Sequence, residues 1–385
     1  MLRLMRARLS FTLLLAMLCT ASGEAQEKDP APSHPKPAQQ QKPAVDLKGV
    51  QIGGLWYISY QQGDKYAGFP DETSSYSVFR IKRGYIDIRT ELQPWLDLRI
   101  TPDITQDSTG DIKVRIKYLY ARFKGDGNNI ISEPYAEVGV AHMPWLDFEE
   151  HVNRFRMQDT MFMERNQLFN SADIGFLVGS NFGPELSEEF KNTVNSSYAG
   201  RYGSWQFGVF NGGGYHASER NNNKVLEGRA TLRPAPDNLP GLQFSILGVY
   251  GKGNLVEPKP PDMLPDYEVL AGMVSYEHEH FVLTGQWYSG EGNAAGTAVP
   301  PQNGSSYFAE IRLTRKGNLS LIGRYDRFNT NSDNPQSDLQ QRGIVGFAWQ
   351  MFKNNYWVID YERLSHSLKA ILGEDRLQVT LQIRF

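Results

Sequence analysis

From Val50 to the end of the chain, hydrophobic and polar residues alternate with a period of two, not the period of about 3.6 expected of a helix. Residues 110–123 show this pattern most clearly. Their apolar face is predicted to contain Ile112, Val114, Ile116, Tyr118 and Tyr120. Their opposite, basic face contains Lys113, Arg115 and Lys117. Similar segments of about ten residues recur along the chain between clusters of Gly, Pro, Asn and Asp, which is typical of half-buried β-strands.

This alternation predicts sixteen strands. They lie near residues 48–60, 76–90, 95–103, 111–123, 133–142, 172–182, 196–210, 224–233, 241–251, 266–276, 281–289, 305–314, 319–328, 341–350, 356–363 and 375–385. A soluble β-sandwich and a membrane β-barrel both produce this alternation, because each has one apolar and one polar face on every strand. The strand pattern alone leaves both folds open.

The connections between strands distinguish the two folds. Connections after odd-numbered strands are long, as in QQGDKYAGFPDETSS, whereas those after even-numbered strands are short, as in EHEH and RKGN. The connection near residues 183–195 is the clearest exception. Long external loops and short periplasmic turns give a barrel this rhythm, and aromatic residues such as Trp95, Trp287 and Trp357 fall near strand ends as in interfacial girdles. We therefore predict an all-β fold, a transmembrane antiparallel β-barrel of about 16 strands.

The chain ends on LQVTLQIRF, which alternates without a break. We expect this segment to be the closing strand, with Leu377 facing lipid and Gln378 facing the lumen. It must pair with the first strand, near residues 50–60, because an open sheet edge does not persist in hydrocarbon. Phe385 is expected at the periplasmic girdle, and a terminal Phe also resembles the signal that outer-membrane assembly machinery reads.

The N-terminus has the character of an export signal. Three arginines precede the apolar stretch SFTLLLAMLC and the small residues TASGEA, which is the order found in a secretory signal peptide. Residues 1–25 are predicted to be this signal peptide, since the apolar core is too short for a membrane anchor. Residues 26–47, rich in Pro, Lys and Gln, are predicted to be a periplasmic linker that acts as a tether or a passive spacer. The barrel is assigned to residues 48–385.

Composition excludes several classes of function. Cys19 is the single cysteine and lies in the predicted signal peptide, so we expect no disulfide, thiolate metal site or covalent haem. Cleavage near Ala25 leaves 37 basic and 42 acidic residues, a net charge of about −5 that argues against binding to nucleic acid. No histidine stands in a GxSxG or HExxH context, and His278 and His280 are interpreted as part of a hairpin turn, with a metal site as the alternative. We predict no enzymatic activity and no cofactor.

Residues 143–171, between the fifth and sixth predicted strands, break the two-residue period. Phe148, Val152 and Phe155 have helical spacing. A connection this long in a compact fold is usually functional or disordered, and its Phe, Met and Leu content argues against disorder.

Five motifs follow one another in this part of the chain, namely SVFRIKRGYIDIRTEL, DLRITPDIT, YAEVGVAHMPW, MFMERN and IGFLVGSNFG. In this order they resemble the phosphate-selective porin family of outer-membrane channels. The resemblance covers roughly residues 77–183 and is weaker beyond, where GVFNGGG and RYDRF are similar to the family. It implies a sixteen-stranded, trimeric channel whose third external loop, here residues 143–171, folds inward as a constriction. In founding members of the family, inward Arg and Lys side chains select phosphate or other anions.

The residues themselves suggest where anions would bind. Cations at alternate positions of one strand share a face and lie about 7 Å apart, and charge facing lipid is costly, so these side chains should point into the lumen. The same parity extends to the two preceding strands. We predict a basic pore wall made of Lys113, Arg115, Lys117, Arg83, Arg89 and Arg99.

A salt-bridged wall with weak selectivity is the alternative to this basic wall. Seven acidic residues are inward by the same parity, namely Asp87, Asp97, Glu137, Glu310, Asp326, Asp360 and Glu362. In the predicted constriction, the candidate residues are Arg154, Arg156, Asp159, Glu164 and Arg165. Opposite charges across a narrow lumen would sort solutes by charge, whereas an internally paired loop would use these charges only to hold its shape. Both interpretations stay open.

The expected function is passive diffusion of small hydrophilic solutes through a porin in the cell outer membrane, with phosphate-like anions preferred. The expected partners are outer-membrane lipid, the small anionic or polar solutes, and two further copies of the chain in a homotrimer. The alternative is a barrel sleeve that houses a partner such as a cytochrome.

Overall fold

The computed structural model describes residues 49–68, 72–107, 109–256, 264–298, 300–314 and 317–385. The predicted signal peptide, residues 1–25, and the predicted linker, residues 26–47, lie outside these ranges and stay predictions.

Sixteen strands form one closed antiparallel barrel. In chain order they are β1 Val50–Tyr66, β2 Thr73–Gln93, β3 Leu96–Gln106, β4 Ile112–Lys124, β5 Ile131–His142, β6 Ala172–Phe182, β7 Gly203–Phe210, β8 Val225–Leu232, β9 Leu242–Lys252, β10 Asp266–His278, β11 Phe281–Glu291, β12 Pro301–Arg312, β13 Leu319–Asn329, β14 Leu339–Phe352, β15 Asn355–His366 and β16 Glu374–Arg384. Each strand pairs with the next, so the predicted antiparallel barrel of sixteen strands is confirmed. The largest difference is in β7, which begins at Gly203 instead of near residue 196.

The closing strand pairs as predicted. β16 lies antiparallel to β1, with Trp56 opposite Ile383. The Phe385 amide donates to the Gly54 carbonyl oxygen at 3.2 Å, and the Gly54 amide donates to the Phe385 carbonyl oxygen at 3.0 Å. The Phe385 ring meets the Trp56 ring edge to face at a centroid distance of 5.5 Å. A side chain larger than hydrogen at position 54 would collide with this ring, because an added Cβ would lie 2.4 Å from it.

The barrel has a polar inner face and an apolar outer face. In β9, Gln243 and Ser245 are buried, whereas Phe244 and Ile246 are 48% and 53% exposed. Soluble proteins bury apolar side chains and expose polar ones, and a barrel that stands in hydrocarbon requires the reverse arrangement. The turns at residues 94–95, 279–280 and 353–354 are short and lie at one end, which we assign to the periplasm by the rule that periplasmic turns are the short ones.

Two β-bulges change the strand parity. The β1–β2 register shifts between Tyr57 and Ile58, which leaves Lys82 without a partner across the strands. The β3–β4 register shifts between Thr101 and Pro102, which likewise leaves Lys117 without a partner across the strands. An extra residue on one strand switches the face to which the following side chains point.

The second bulge overturns part of the predicted apolar face of β4. Tyr118 and Tyr120 are buried inside the barrel, whereas Leu119 between them is 51% exposed on the outside. Their assignment to the outer face with Ile112 and Val114 was therefore wrong. The bulge also turns Arg122 inward, where it meets Glu137 of β5.

Within the described ranges, three short helices lie in the connections between strands. They are α1 Pro144–Val152, α2 Phe162–Arg165 and α3 Glu188–Thr193. The first two belong to residues 143–171, and α3 lies in the long connection of residues 183–202. Among the helices of the described ranges, none is long and apolar enough to cross a membrane.

Candidate functional site

The 143–171 segment forms a large apolar cluster with one half of the barrel wall. Its buried members include Trp145, Leu146, Phe148, Val152, Phe155, Met157, Met161, Phe162, Met163, Leu168 and Phe169. The wall contributes inward side chains of β8 to β15, among them Val225, Leu247, Val269, Met273, Val282, Tyr288, Phe308, Ile322 and Val358. Burying a large apolar side chain contributes roughly 1.5–3 kcal/mol, so this packing fixes the segment strongly.

The sequence explains why α1 begins where it does. Pro144 occupies the first turn, where its missing N–H would have no partner in the helix anyway. The Met143 sulfur accepts from the Trp145 amide at 3.1 Å and caps the same turn. Most of α1 is buried, and the predicted helical spacing of Phe148 and Val152 is observed, whereas Phe155 lies beyond the helix end.

Polar contacts attach the segment to β2 and β16. Lys82 Nζ donates to the carbonyl oxygens of Met157 at 2.7 Å and Gln158 at 3.0 Å. Arg376 of β16 bonds to the Asp159 carboxylate at 2.9 Å. Burial alone would raise the pKa of Asp159, but the Arg165 and Arg376 guanidinium groups hold that pKa well below its usual range.

A second set of contacts attaches the segment to β12 and β13. Arg324 of β13 donates to the Thr160 carbonyl oxygen at 2.8 Å. Arg165 reaches Asp326 of the same strand at 3.2 Å, and Arg154 pairs with Glu310 of β12. The segment therefore has bonded partners on β12 and β13 as well as on β2 and β16.

Three cavities remain beside the segment, along β1 to β6. An upper cavity of about 630 Å³ is lined by Lys82, Arg83 and Arg115 among others. A middle cavity of about 390 Å³ includes Arg89, Arg99 and Lys117 in its lining. A lower cavity of about 440 Å³, at the periplasmic end, includes Arg99, Arg122 and His142 in its lining.

In the upper cavity, the predicted cations gather around one carboxylate. Asp103 is fully buried and bonds to Arg83 at 3.3 Å and to Arg115 at 3.2 Å. The Tyr215 hydroxyl donates to the same Asp103 oxygen at 3.2 Å. Glu164 of the 143–171 segment also approaches Arg83, at 3.9 Å, so two carboxylates lie against these two guanidinium groups. Lys113, at the external end of β4, pairs with Asp107 at 2.5 Å and is 60% exposed.

In the middle and lower cavities, cations alternate with aromatic rings. Lys117 lies 4.5 Å from the Tyr85 ring centre, and Arg99 lies 4.5 Å from that of Tyr118. The Asp87 carboxylate bonds to both Arg99 and Arg89 at 2.6 Å. Again two cations share one acid.

His142 lies between these groups and the 143–171 segment. Its Nε2 accepts from Arg99 at 3.0 Å, so its Nδ1 carries the proton and donates to Glu137 at 2.9 Å. Glu137 also bonds to Arg122 at 2.5 Å. This chain of bonds fixes Arg99 and Arg122, two of the three arginines that line the lower cavity.

The six predicted wall cations lie on β2, β3 and β4. Five of them line the three cavities, whereas Lys113 lines none of them. The five predicted constriction residues divide into two groups. Arg156 and Asp159 line the upper cavity, whereas Arg154 and Arg165 bond to wall carboxylates. Glu164 pairs with Arg156 at 2.5 Å inside the segment.

Sequence reasoning missed several residues of this site. Lys82 was not selected because strict alternation places it outside, and Arg122 was missed for the same reason. Asp147 of α1 and Tyr198 of the 183–202 connection were also missed, and no local pattern distinguishes them. In the described ranges, no three His, Cys, Asp or Glu side chains form a group that could hold a metal ion.

Comparison with known proteins gives matches in structure alone. No protein-family model matches the chain, and no curated protein matches it. Among solved structures, OmpF of Salmonella typhi has a TM-score of 0.58 at 9% identity, covering 89% of this chain and 99% of that one. An anion-selective porin of Comamonas acidovorans has a TM-score of 0.55 at 12% identity, covering 87% and 98%. A trimer form of OmpT, an outer-membrane protein of Vibrio cholerae, has a TM-score of 0.52 at 10% identity, covering 87% and 99%.

These similarities define the class of fold. The chain has the sixteen-stranded fold of outer-membrane porins, and its apolar outer face makes it an outer-membrane barrel, as predicted. The phosphate-selective subtype stays a prediction. The sleeve alternative is not favoured, because the chain's own 143–171 segment packs against the inward side chains of β8 to β15.

Proposed function

We propose that this protein is a porin through which small hydrophilic solutes diffuse passively, with phosphate-like anions preferred. The charge of the cavity walls carries this proposal. The basic residues that line the three cavities are Arg80, Lys82, Arg83, Arg89, Arg99, Arg115, Lys117, Arg122, Lys124, Arg156, Arg376 and Arg384. The acidic ones are Asp87, Asp107, Glu133, Asp147, Glu150 and Asp159. Cations thus outnumber acids on the lining by two to one, although the whole chain has a net charge of −3.

The lining decides selectivity because a permeating ion interacts with the nearest charges through little screening. Six further carboxylates bond to these cations from outside the lining, namely Glu91, Asp97, Asp103, Glu137, Glu164 and Glu362. The excess of cations therefore applies to the groups that line the cavities and not to the ion pairs behind them. An anion that enters the upper cavity can exchange water for the guanidinium edges of Arg83 and Arg115, and then pass to Lys117 and Arg99. Shared carboxylates keep these cations in place without neutralising all of them.

In this proposal the 143–171 segment is the constriction. It packs against β8 to β15, where a cavity of about 220 Å³ remains beside Arg165 and Asp326, and it leaves the three larger cavities along β16 and β1 to β6. Arg154 and Arg165 hold its shape through bonds to Glu310 and Asp326, and the buried Arg156 does so through Glu150 and Glu164. The Asp159 carboxylate, in contrast, is 22% exposed and faces the solute. Charges that hold the shape of the segment and charges that sort solutes therefore belong to different residues in this proposal.

The proposal includes a homotrimer in the outer membrane, with lipid around its outer face. Its support is the fold shared with a trimer form of another outer-membrane protein. Chemical cross-linking of the purified protein in detergent should give a ladder that ends at three copies.

The test of anion preference is the reversal potential of single channels in planar bilayers under a KCl gradient. The wild type should favour chloride, and phosphate should reduce the chloride current. A variant with Lys113, Arg115 and Lys117 all changed to Gln should lose most of this preference. The matched control changes two exposed external-loop cations, Lys224 and Lys369, to Gln and should behave as the wild type. Cation preference or an absence of conductance in the wild type would overturn the proposal.

A further inference from the structure

The connection of residues 183–202 reaches from the periplasmic end of the barrel to the 143–171 segment. Asn195 Nδ2 donates to the carbonyl oxygen of His151, in the last turn of α1, at 3.0 Å. It also donates to Glu277 of β10 at 2.7 Å. Together these bonds connect the end of α1 to the connection below it and to the barrel wall.

Tyr198 is the residue of this connection that meets the passage. Its φ angle is 52°, in the left-handed region that a tyrosine seldom adopts. The hydroxyl donates to the Asp147 carboxylate. The ring meets Phe148 edge to face at 5.3 Å, and the Arg229 guanidinium stacks on both rings, 4.9 Å from Tyr198 and 4.4 Å from Phe148. A strained backbone retained by this many contacts points to a requirement on where the side chain lies.

Asp147 stands where the middle and lower cavities meet, a junction that we call the neck. The middle and lower cavities share four lining residues, namely Arg89, Arg99, Asp147 and His151. Asp147 therefore lies on the segment side of this neck, with two guanidinium groups on the wall side. Burial alone would raise the pKa of Asp147, but His151, the Tyr198 hydrogen bond and the Arg99 guanidinium hold it below its usual range, so the carboxylate stays charged. Its side chain is 23% exposed, enough to meet a passing ion.

We propose that the 183–202 connection sets the charge selectivity of the exit, with Tyr198 holding the Asp147 carboxylate opposite Arg89 and Arg99. This inference rests on the proposed porin function. It adds a second determinant of ion selectivity, the negative charge of Asp147, which opposes the positive charge of the basic wall. A carboxylate held at the neck limits the anion preference that the arginines produce. It also keeps anions from remaining bound at the exit, because it competes with them for the same cations.

Reversal potentials of the purified full-length protein in planar bilayers test this inference. Asp147→Asn should raise the anion-to-cation permeability ratio about two- to fivefold, the effect of one unit charge a few ångströms from the ion in water. Tyr198→Phe should shift the ratio in the same direction by a smaller factor, because the carboxylate is then free to turn away. Glu189→Gln, an exposed change on the same connection, is the control and should leave the ratio as in the wild type.

A double variant separates a role through Asp147 from a general structural one. If Tyr198 acts through Asp147, the variant carrying both changes has the ratio of Asp147→Asn alone, whereas effects that add would overturn the inference. If Asp147→Asn does not assemble, Asn195→Ala must reproduce the shift of Tyr198→Phe for the inference to stand. If the wild type prefers anions and the variants have the same permeability ratio as the wild type, the inference is wrong and the porin proposal stands. If the wild type shows no anion preference, the porin proposal itself is wrong, whatever the variants show.

Discussion

Lys82 Nζ lies 2.7 Å from the carbonyl oxygen of Met157, so a charged side chain of β2 bonds directly to the backbone of the 143–171 segment. Its second bond is to the Gln158 carbonyl oxygen, which also accepts from Arg376 and Gln378 of β16. The bulge at this position is what brings Lys82 to the inner face.

Changing Lys82 to Met should loosen the segment without removing its apolar packing. The variant keeps the length of the side chain but loses two charge-assisted hydrogen bonds, which we expect to destabilise the segment by about 2–4 kcal/mol. The measurement is limited proteolysis within residues 143–171, together with the noise of the open-channel current, and both should increase. Lys65→Met, an exposed change on β1, is the control. Equal protease resistance in the two variants would contradict the role of Lys82.

Arg115 should matter more for anion preference than Lys113, although both belong to the predicted triplet. Arg115 lines the upper cavity and bonds to Asp103, whereas Lys113 stands at the external end of β4, where it is paired with Asp107 and largely exposed to screening. Reversal potentials should show a severalfold smaller chloride preference for Arg115→Gln and a change of less than twofold for Lys113→Gln. The reverse ranking would mean that selectivity is set at the external entrance.

The strands of the barrel could be predicted because each one repeats the same two-sided environment. The bulges could not be seen in alternation alone, but two signals in the sequence mark them. Unbroken parity places Lys82 and Arg122 in the lipid, which is costly. Pro102 lies inside a strand that has no free edge in a closed barrel, and a proline there requires a bulge.

The partners of the constriction residues lay beyond sequence reasoning. Arg154 and Glu310 are 156 residues apart in sequence, and Arg165 and Asp326 are 161 apart. Alternation predicts that both acids point inward, but not which cation reaches them, because that depends on how the 143–171 segment packs. Asp147 was missed for the same reason, since its position at the neck depends on Tyr198.

Trp145→Ala should widen the passage while the barrel stays closed. The side chain is fully buried in the cluster between α1 and the wall, and removing a large aromatic side chain from such a site costs about 3–5 kcal/mol. The sixteen strand pairings do not involve it, so the heat-modifiable mobility of the folded barrel in gels should persist. Single-channel conductance should rise. Trp349→Ala, at an exposed position on the outer face, is the matched control and should leave conductance unchanged.

The stability of the 143–171 segment should fall as pH rises through neutrality, because of Glu149. This side chain is 3% exposed, and burial raises the pKa of its carboxyl to about 7. One oxygen accepts from Gln286 at 2.6 Å, and the other has no partner in the described structure, an arrangement that suits a protonated acid. In the unfolded chain the pKa is near 4.3, so between these values the folded state holds a proton that the unfolded state has released.

The sign of the pH effect follows from this difference in bound protons. The stabilisation associated with Glu149 is fully present below about pH 4.3 and is lost as pH rises through about 7, by an amount of about 1–3 kcal/mol. Protease resistance of the segment, measured from pH 5 to pH 8, should therefore decrease in the wild type. Glu149→Gln, which keeps the shape and cannot ionise, should show a flatter profile and greater resistance at pH 8. The same pH profile in both proteins would mean that another group controls the segment.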